Sequence, residues 1–407
     1  MHIYSDVAPL TLDDFHYCPV EGFTEDMTLY RPQGYHPVTI GDILNGSSDA
    51  QYRILHKLGY GGYATVWLAQ RVDASSSYVA LKITTAQDQG LAEADLLEAA
   101  NANERDSSSS HVLALLDKFE LPGPNGTHSV LVTDVIVPML SLRNFHQSPR
   151  WRKAAAHGLV QAMLQLHRTG IVHGDFHLGN VGVAMPQPED QMEFMRDLGE
   201  YDMLVVLPVD PANQTPSLPP YILTPCELGG YYAKVAGSTK PQIKVFDFGN
   251  AYRTGTEQPA FRGAVEACAP EVAYAQYYEG KERIPIVPSS DLWALGAAIY
   301  EIIVGDHFFR NITRRMVPKE AVEMAGCVPP QWQSWWDNDP YPVTLSGDPD
   351  EWWSQPWHRK LFTDALASEE DADAAIALLK KLLSLDPQAR PTCEEVLQDP
   401  WFENVEY

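Results

Sequence analysis

Three short strings fall in a fixed order along this chain of 407 residues: ValAlaLeuLys ending at Lys82, HisGlyAspPheHisLeuGlyAsn ending at Asn180, and AspPheGly from Asp247 to Gly249. A lysine in an apolar strand needs anionic partners, because an isolated ammonium loses its hydration there. Asp175, Asn180 and Asp247 supply two carboxylates and an amide oxygen, donor types that hold magnesium and orient a hydroxyl. Lysine, Asp, Asn and Asp in this order suit transfer of the γ-phosphoryl group of ATP, with Mg²⁺, to a hydroxyl acceptor. The fold must therefore bring position 82 to positions 175, 180 and 247, and Asp175 is the residue that meets the hydroxyl.

Composition narrows the class. At 45% hydrophobic residues the chain can bury a large core, and its length suits two packed subdomains. No apolar run approaches the roughly 20 residues that cross a bilayer, and the opening MetHisIleTyrSerAspVal lacks the basic start and apolar stretch of a leader. The expectation is an intracellular protein, cytoplasmic and/or nuclear, and a monomer. Five scattered cysteines without a close pair argue against zinc and against disulfides. A net charge of −25 repels nucleic acid and membrane phosphates and attracts cationic partners, although much of it also serves solubility.

The first 50 residues carry eight acidic side chains against the single Arg31 and read as an extension laid over a domain. From Gln51 three strand-like runs follow, with Gly59, Gly61 and Gly62 marking a tight turn between the first two. Helical spacing over Leu91–Ala100 predicts a short amphipathic helix, and two more strands are expected around Val112–Phe119 and Val130–Val137. Beyond Pro138 the periodicity is mainly helical. The expected division is a lobe at 51–137 and a lobe at 138–403. An insertion at 183–242, rich in Pro, Gly and acidic residues, is expected to be largely irregular and mobile, with TyrAspMetLeuValValLeuPro a possible local strand.

LeuGlyTyrGlyGlyTyrAlaThrVal, Leu58–Val66, offers backbone amides to phosphate oxygens at Leu58, Gly59, Tyr60, Gly61, Gly62 and Val66, although a plain hairpin would need much the same residues. Ala64 stands where a third glycine usually sits. Glu93 is the chosen partner of Lys82, with Glu98 held open because the interval from Lys82 to Glu93 is short. Asn180 and Asp247 are assigned to the metal.

These strings resemble the protein kinases. GlyTyrHisProValThrIleGlyAspIleLeuAsnGly from Gly34, LysLeuGlyTyrGlyGlyTyrAlaThrValTrpLeuAla, AsnGlyThrHis at Asn125, AspPheGlyAsnAla at Asp247, AlaProGlu at Ala269 and LeuAspProGlnAlaArgPro near the end are similar to SR-protein kinases in particular. The resemblance covers roughly residues 34–403 and implies an α+β bilobal protein kinase fold. Its small N-terminal lobe is an antiparallel β-sheet with one helix, and its larger C-terminal lobe is mainly helical. It also implies that Ala80 and backbone groups of Asp134 and Ile136 line the adenine site, with Thr133 behind it. Glu271 would pair with Arg390, and Asp291 would brace the catalytic loop. Two positions depart from the pattern: Gly174 replaces the arginine that reads an activation-loop phosphate, and His177 replaces the catalytic-loop lysine at the transferring phosphoryl group. The form HisGlyAspxHisxxAsn is also found in aminoglycoside phosphotransferases, so a small-molecule kinase and a scaffold with little catalysis are the alternatives. The family's substrates are Arg/Ser-rich. Residues 321–375, with eleven acids and six tryptophans, offer charge and aromatic faces to guanidinium groups, or else tryptophans packed inside a lobe.

Overall fold

The computed structural model describes residues 9–19, 22–73, 76–87, 90–104, 109–143, 147–236, 239–256, 258–284, 287–340 and 343–403. The opening residues 1–8, which bear on the presence of a leader, lie outside them. The chain divides into two units, one of residues 1–98, 114–136 and 185–236, the other of residues 99–113, 137–184 and 237–407.

The sheet of the first unit is built from strands whose burial alternates along Leu115–Gly123 and at the start of Gln51–Gly61 and is nearly continuous along Ala64–Arg71 and Tyr78–Thr84. It comprises β1 (Ile43–Asn45), β2 (Gln51–Gly61), β3 (Ala64–Arg71) and β4 (Tyr78–Thr84). After helix α1 (Leu91–Asn101) come β5 (Leu115–Gly123) and β6 (Gly126–Thr133). All neighbours are antiparallel, in the order β1-β2-β3-β4-β6-β5. Tyr52 and Ile54 on β2, Trp67 on β3, and Leu81 and Ile83 on β4 turn the same way into one core with Val130 and Val132 of β6. Each such side chain contributes about 1.5–3 kcal/mol by leaving water. Strand β5 starts later than expected, and Val112 makes a lone bridge to Val245 in the second unit.

The insertion is not largely irregular. It contains helices Gln191–Asp197 and Leu228–Ala236 and an antiparallel pairing of Met203–Val205 with Tyr221–Leu223. Chain order had suggested that residues 183–242 go with the helical lobe, but residues 185–236 group with the sheet. The reason is apolar: Val206, Leu218 and Ile222 share a satellite core with Phe15, Met27, Tyr30 and Tyr35 of the N-terminal segment. Backbone bonds join the same two segments, from His16 N–H to Leu207 O at 2.9 Å and from Val209 N–H to Asp14 O at 2.8 Å. The Asn125 amide, at the β5–β6 turn, donates to Tyr35 O at 2.7 Å and to Ser217 O at 3.0 Å. These 50-odd residues of insertion and the N-terminal segment cover each other's apolar surface, so neither needs its own periodic pattern.

The second unit is helical. Its two long helices, Pro149–Arg168 and Pro288–Val304, both open on proline, whose missing N–H costs nothing there. Ser148 caps the first by accepting the Trp151 N–H, and Gly305, at φ 83°, ends the second in a left-handed turn. Two short antiparallel pairings matter for function. Val181–Ala184 pairs with Ile243–Val245, and Ile171–Val172 pairs with Tyr252–Arg253. All five cysteines are unpaired, and no described helix is long and apolar enough to cross a membrane.

Candidate active site

In the first unit, Lys82 occupies the middle of β4, where β3 and β6 flank it at Val66 and Leu131. Its Nζ lies 2.8 Å from both carboxylate oxygens of Glu93 on α1. Glu98, the open alternative, instead pairs with Lys118 on β5 at 2.8 Å. The side chain of Lys82 keeps 25% of its exposure while Glu93 keeps 9%, so the ammonium can serve a second anion beyond its glutamate. Upstream, β2 and β3 join through the glycine turn, with Gly61 opposite Ala64. Gly61 and Gly62 are exposed, and a Cβ at Gly59, Gly61 or Gly62 would meet nothing within 4 Å, leaving the backbone open to a ligand. Leu58, Gly59, Tyr60 and Val66 are half-buried beside it. Ala80 is buried and pairs with Thr133, whose hydroxyl donates to Asp134 O at 3.2 Å. Ile136 begins the next strand, Ile136–Pro138.

In the second unit the register of two strands does the work of assembly. Antiparallel pairing of Val181 with Val245 sets the residue before one strand, Asn180, beside the residues after the other, Phe246 and Asp247. Phe246 N–H accordingly donates to Asn180 O at 3.0 Å, although the insertion separates them in sequence. Pairing of Val172 with Tyr252 brings the chain after AspPheGly back along the catalytic loop. There Asn250 Nδ2 donates to Asp175 Oδ2 at 3.0 Å, and the Ala264 N–H donates to Asp175 Oδ1 at 2.7 Å. Each carboxylate oxygen keeps lone-pair capacity for a further partner. Asn180 Nδ2 donates to Asp175 O at 2.9 Å, which turns its Oδ1 away as the atom available to a cation. Asp247 has φ 63°, a left-handed conformation that costs a non-glycine residue about 1–3 kcal/mol and collects at functional sites. No cluster of three or more His, Cys, Asp or Glu able to hold a metal is present among the described residues. One carboxylate and one amide oxygen nevertheless fit Mg²⁺ that takes its other ligands from phosphates and water.

His177 sits inside this loop with a defined tautomer. Its Nδ1 accepts the Gly179 N–H at 3.0 Å, so the ring proton of the neutral imidazole is on Nε2, 3.7 Å from Asp175 Oδ1. Burial lowers its pKa below the ordinary 6.5, against the opposing pull of the carboxylates of Asp175, Glu266 and Asp247. The group is thus a neutral N–H donor at neutral pH. Gly179 permits the arrangement, since a Cβ there would come within 2.5 Å of the imidazole. Gly174 is likewise more than a missing arginine. With φ 72°, and a Cβ that would lie 2.7 Å from Asn250 O and 3.0 Å from the Tyr252 ring, the position admits no side chain.

Asp291 accepts from the N–H groups of His173 at 2.8 Å and Gly174 at 3.1 Å, bracing the loop from below. Arg390 meets Glu271 through two bonds of 2.8 Å and also donates to Ser289 O at 2.7 Å. The tryptophans of residues 321–375 are mostly structural: Trp332, Trp336 and Trp353 are buried, Trp335 and Trp352 half-buried, and Trp357 exposed. Sequence reasoning missed Asn250, Gly263 and Ala264. The first was visible as an amide one residue past AspPheGly. For Gly263, whose Cβ would lie 2.5 Å from Asp175 Oδ1, the signal was a glycine within reach of AlaProGlu.

A family model described as "Protein kinase domain" matches residues 235–402. The serine/threonine-protein kinase spk-1 of Caenorhabditis elegans is 32% identical over 176 residues, 40% of this chain and 17% of its own. The serine/threonine-protein kinase SKY1 of Saccharomyces cerevisiae is 32% identical over 188 residues, 43% and 25% respectively. The match therefore spans a quarter or less of these two relatives. The serine/threonine-protein kinase SRPK of Physarum polycephalum is 24% identical over 418 residues, 94% of this chain and 91% of its own. Sheet unit, helical unit and the residues gathered in each define a protein kinase domain. Residues 235–402 match a protein kinase domain, and the chain is similar at modest identity to serine/threonine-protein kinases that include SRPK of Physarum polycephalum.

Proposed function

We propose that the protein is a serine/threonine protein kinase that transfers the γ-phosphoryl group of ATP to hydroxyls in basic, Arg/Ser-rich protein segments. The observation that carries the reading is the Asp175 carboxylate, steadied by the Asn250 amide and the Ala264 N–H while its remaining lone pairs stay available. In that role Asp175 accepts or orients the proton of the acceptor hydroxyl. Lys82, ordered by Glu93, holds phosphate oxygens, and the amides of the glycine turn cover them. Asn180 Oδ1 and Asp247 would hold Mg²⁺, which supplies neutralisation of the phosphate charge. His177, in the place of a lysine, offers its Nε2–H to the transferring group without adding positive charge, which stabilises the developing anion less than an ammonium does.

The net charge of −25 supports a cationic substrate. Within residues 321–375 the two basic side chains are already taken, Arg359 by Asp373 and Lys360 by Asp364, and Lys319, Lys153 and Lys380 from outside the segment pair with Asp339, Asp371 and Asp350, so its eleven acids still outnumber these basic partners. The test is incorporation of labelled phosphate from Mg-ATP into matched peptides, one with Arg/Ser repeats and one with Glu/Ser repeats. Transfer to the Arg/Ser peptide that falls with salt is expected; equal transfer to both contradicts the substrate assignment.

A further inference from the structure

We infer that the N-terminal segment, clasped by the insertion, is a strut that sets the position of the glycine turn, and that Tyr35 is a positioning residue for nucleotide. This rests on the kinase reading for its consequence but not for its geometry. The Tyr35 hydroxyl donates to Gly61 O at 2.7 Å, in the very stretch of backbone proposed to cover the phosphates. Tyr35 is only 2% exposed, so the bond is anchored from inside the fold.

The turn is also held at its root. Lys57, two residues before Gly59, forms an ion pair with Glu25 of the N-terminal segment, and both side chains are fully buried. Glu25 accepts a second bond from the Tyr30 hydroxyl at 2.6 Å, and the Tyr30 ring meets the Tyr35 ring edge-on at 5.4 Å. The insertion holds the same residue from the other side: the Cys226 N–H donates to Lys57 O at 2.9 Å. A buried ion pair with hydrogen-bonded partners is a weak source of stability but fixes one geometry, because every alternative leaves a charge unpaired. Here it lies where β2 has a register shift between Lys57 and Gly59, the point at which the strand bends into the turn.

A glycine turn is flexible, and ordering it when nucleotide binds costs conformational entropy. A strut that orders one carbonyl beforehand lowers that cost and so raises affinity without touching the ligand. Its signature is a change in nucleotide affinity rather than in the chemical step.

Tyr35→Phe removes the hydroxyl and keeps the ring in its core. Two measurements on the full chain test it. Hydrogen exchange of the Gly61–Tyr63 amides in the free protein is expected to speed up severalfold while β4 amides stay unchanged. The Kd of Mg-ATP and the KM for ATP are expected to rise severalfold with kcat unchanged. Unaltered exchange in the turn overturns the strut, whatever the activity. If exchange changes but the native protein neither binds Mg-ATP nor transfers phosphate, the strut stands and the kinase reading falls. If Mg-ATP binds equally to both proteins despite faster exchange, the positioning role for nucleotide is overturned. Tyr35→Trp, which keeps the aromatic contact and places its donor elsewhere, should not restore affinity, whereas restoration would reduce the role of Tyr35 to packing.

Discussion

The two units hold their functional charges by opposite means. In the sheet unit each important lysine is matched to one glutamate, Lys82 to Glu93 and Lys57 to Glu25. In the helical unit Glu271 is matched to Arg390, but the two carboxylates at the catalytic loop meet no lysine or arginine among the described residues: Asp175 is held by an amide and a backbone N–H, and Asp291 by two backbone N–H groups beside the His167 ring. Pairing a cation with a carboxylate fixes an ammonium where phosphates can share it. Holding a carboxylate with neutral dipoles fixes its position while leaving its charge available to a proton or a metal. The same comparison separates two lysines of one sheet: the Lys82 pair retains access to solvent, and the Lys57 pair has none.

That contrast breaks if the two lysines behave alike. Lys82→Met should cut phosphoryl transfer by about 10²–10³-fold, the scale of a lost charge-stabilising donor, with little change in melting temperature. Lys57→Met should act on the fold instead, since an unpaired buried Glu25 costs about 3–5 kcal/mol. Thermal melts and kcat/KM on both variants decide the matter. A Lys82 variant that loses only stability would make its ion pair structural.

The neutral-donor arrangement of the helical unit is sharpened at Gly179. Gly179→Ala forces the His177 ring to move and should lower kcat by roughly tenfold, in line with the cost of misplacing a group at the reacting centre, while leaving the Kd of Mg-ATP alone. His177→Lys should raise kcat severalfold over the native protein with the same Kd, because the added charge matters mainly at the transferring phosphoryl. Unchanged turnover in both would remove His177 from the chemistry.

The smallest effect is on pH dependence. His36 in the sheet unit is pushed down to about 4 by burial and by the neighbouring His128, and His358 in the helical unit is pushed to about 4 by burial. In the unfolded chain both titrate near 6.5. Below that pH the unfolded state takes up protons that the folded rings refuse, so the stability present above 6.5 is lost as pH falls toward 4. Melting temperatures in both units should fall over that window, and a flat profile between pH 6.5 and 4.5 would contradict these placements.

Much of the chemistry was legible because it is local. Lys82, Asp175, Asn180 and Asp247 sit in short strings, and the alternation that opens β2 and the apolar runs of β3 and β4 show directly as strand. The Glu93 partner was also accessible, since helix α1 and β4 are adjacent in sequence. What stayed hidden rests on long-range contacts that leave no periodic trace. Tyr35 and Gly61, Glu25 and Lys57, and Ala264 and Asp175 each meet across tens of residues, and nothing in either partner's neighbourhood announces the other. The insertion misled for a related reason: its helices and strands are short, and its apolar residues answer to Phe15, Met27 and Tyr30 rather than to one another. Tryptophans 332, 336 and 353 follow the plainer reading, in which large aromatic side chains go inside. The scaffold alternative gains nothing from the described residues, where the Lys82–Glu93 pair and the Asp175 hydrogen bonds are all formed.

The most direct test of the account is single-turnover transfer from Mg-ATP to an Arg/Ser peptide by the native protein and by Asp175→Asn, with Mg-ATP affinity measured on the same samples. The account predicts that the variant binds nucleotide as the native protein does and transfers phosphate about 10²–10⁴-fold more slowly, the range of a lost general base. Equal transfer rates in the two proteins would contradict it.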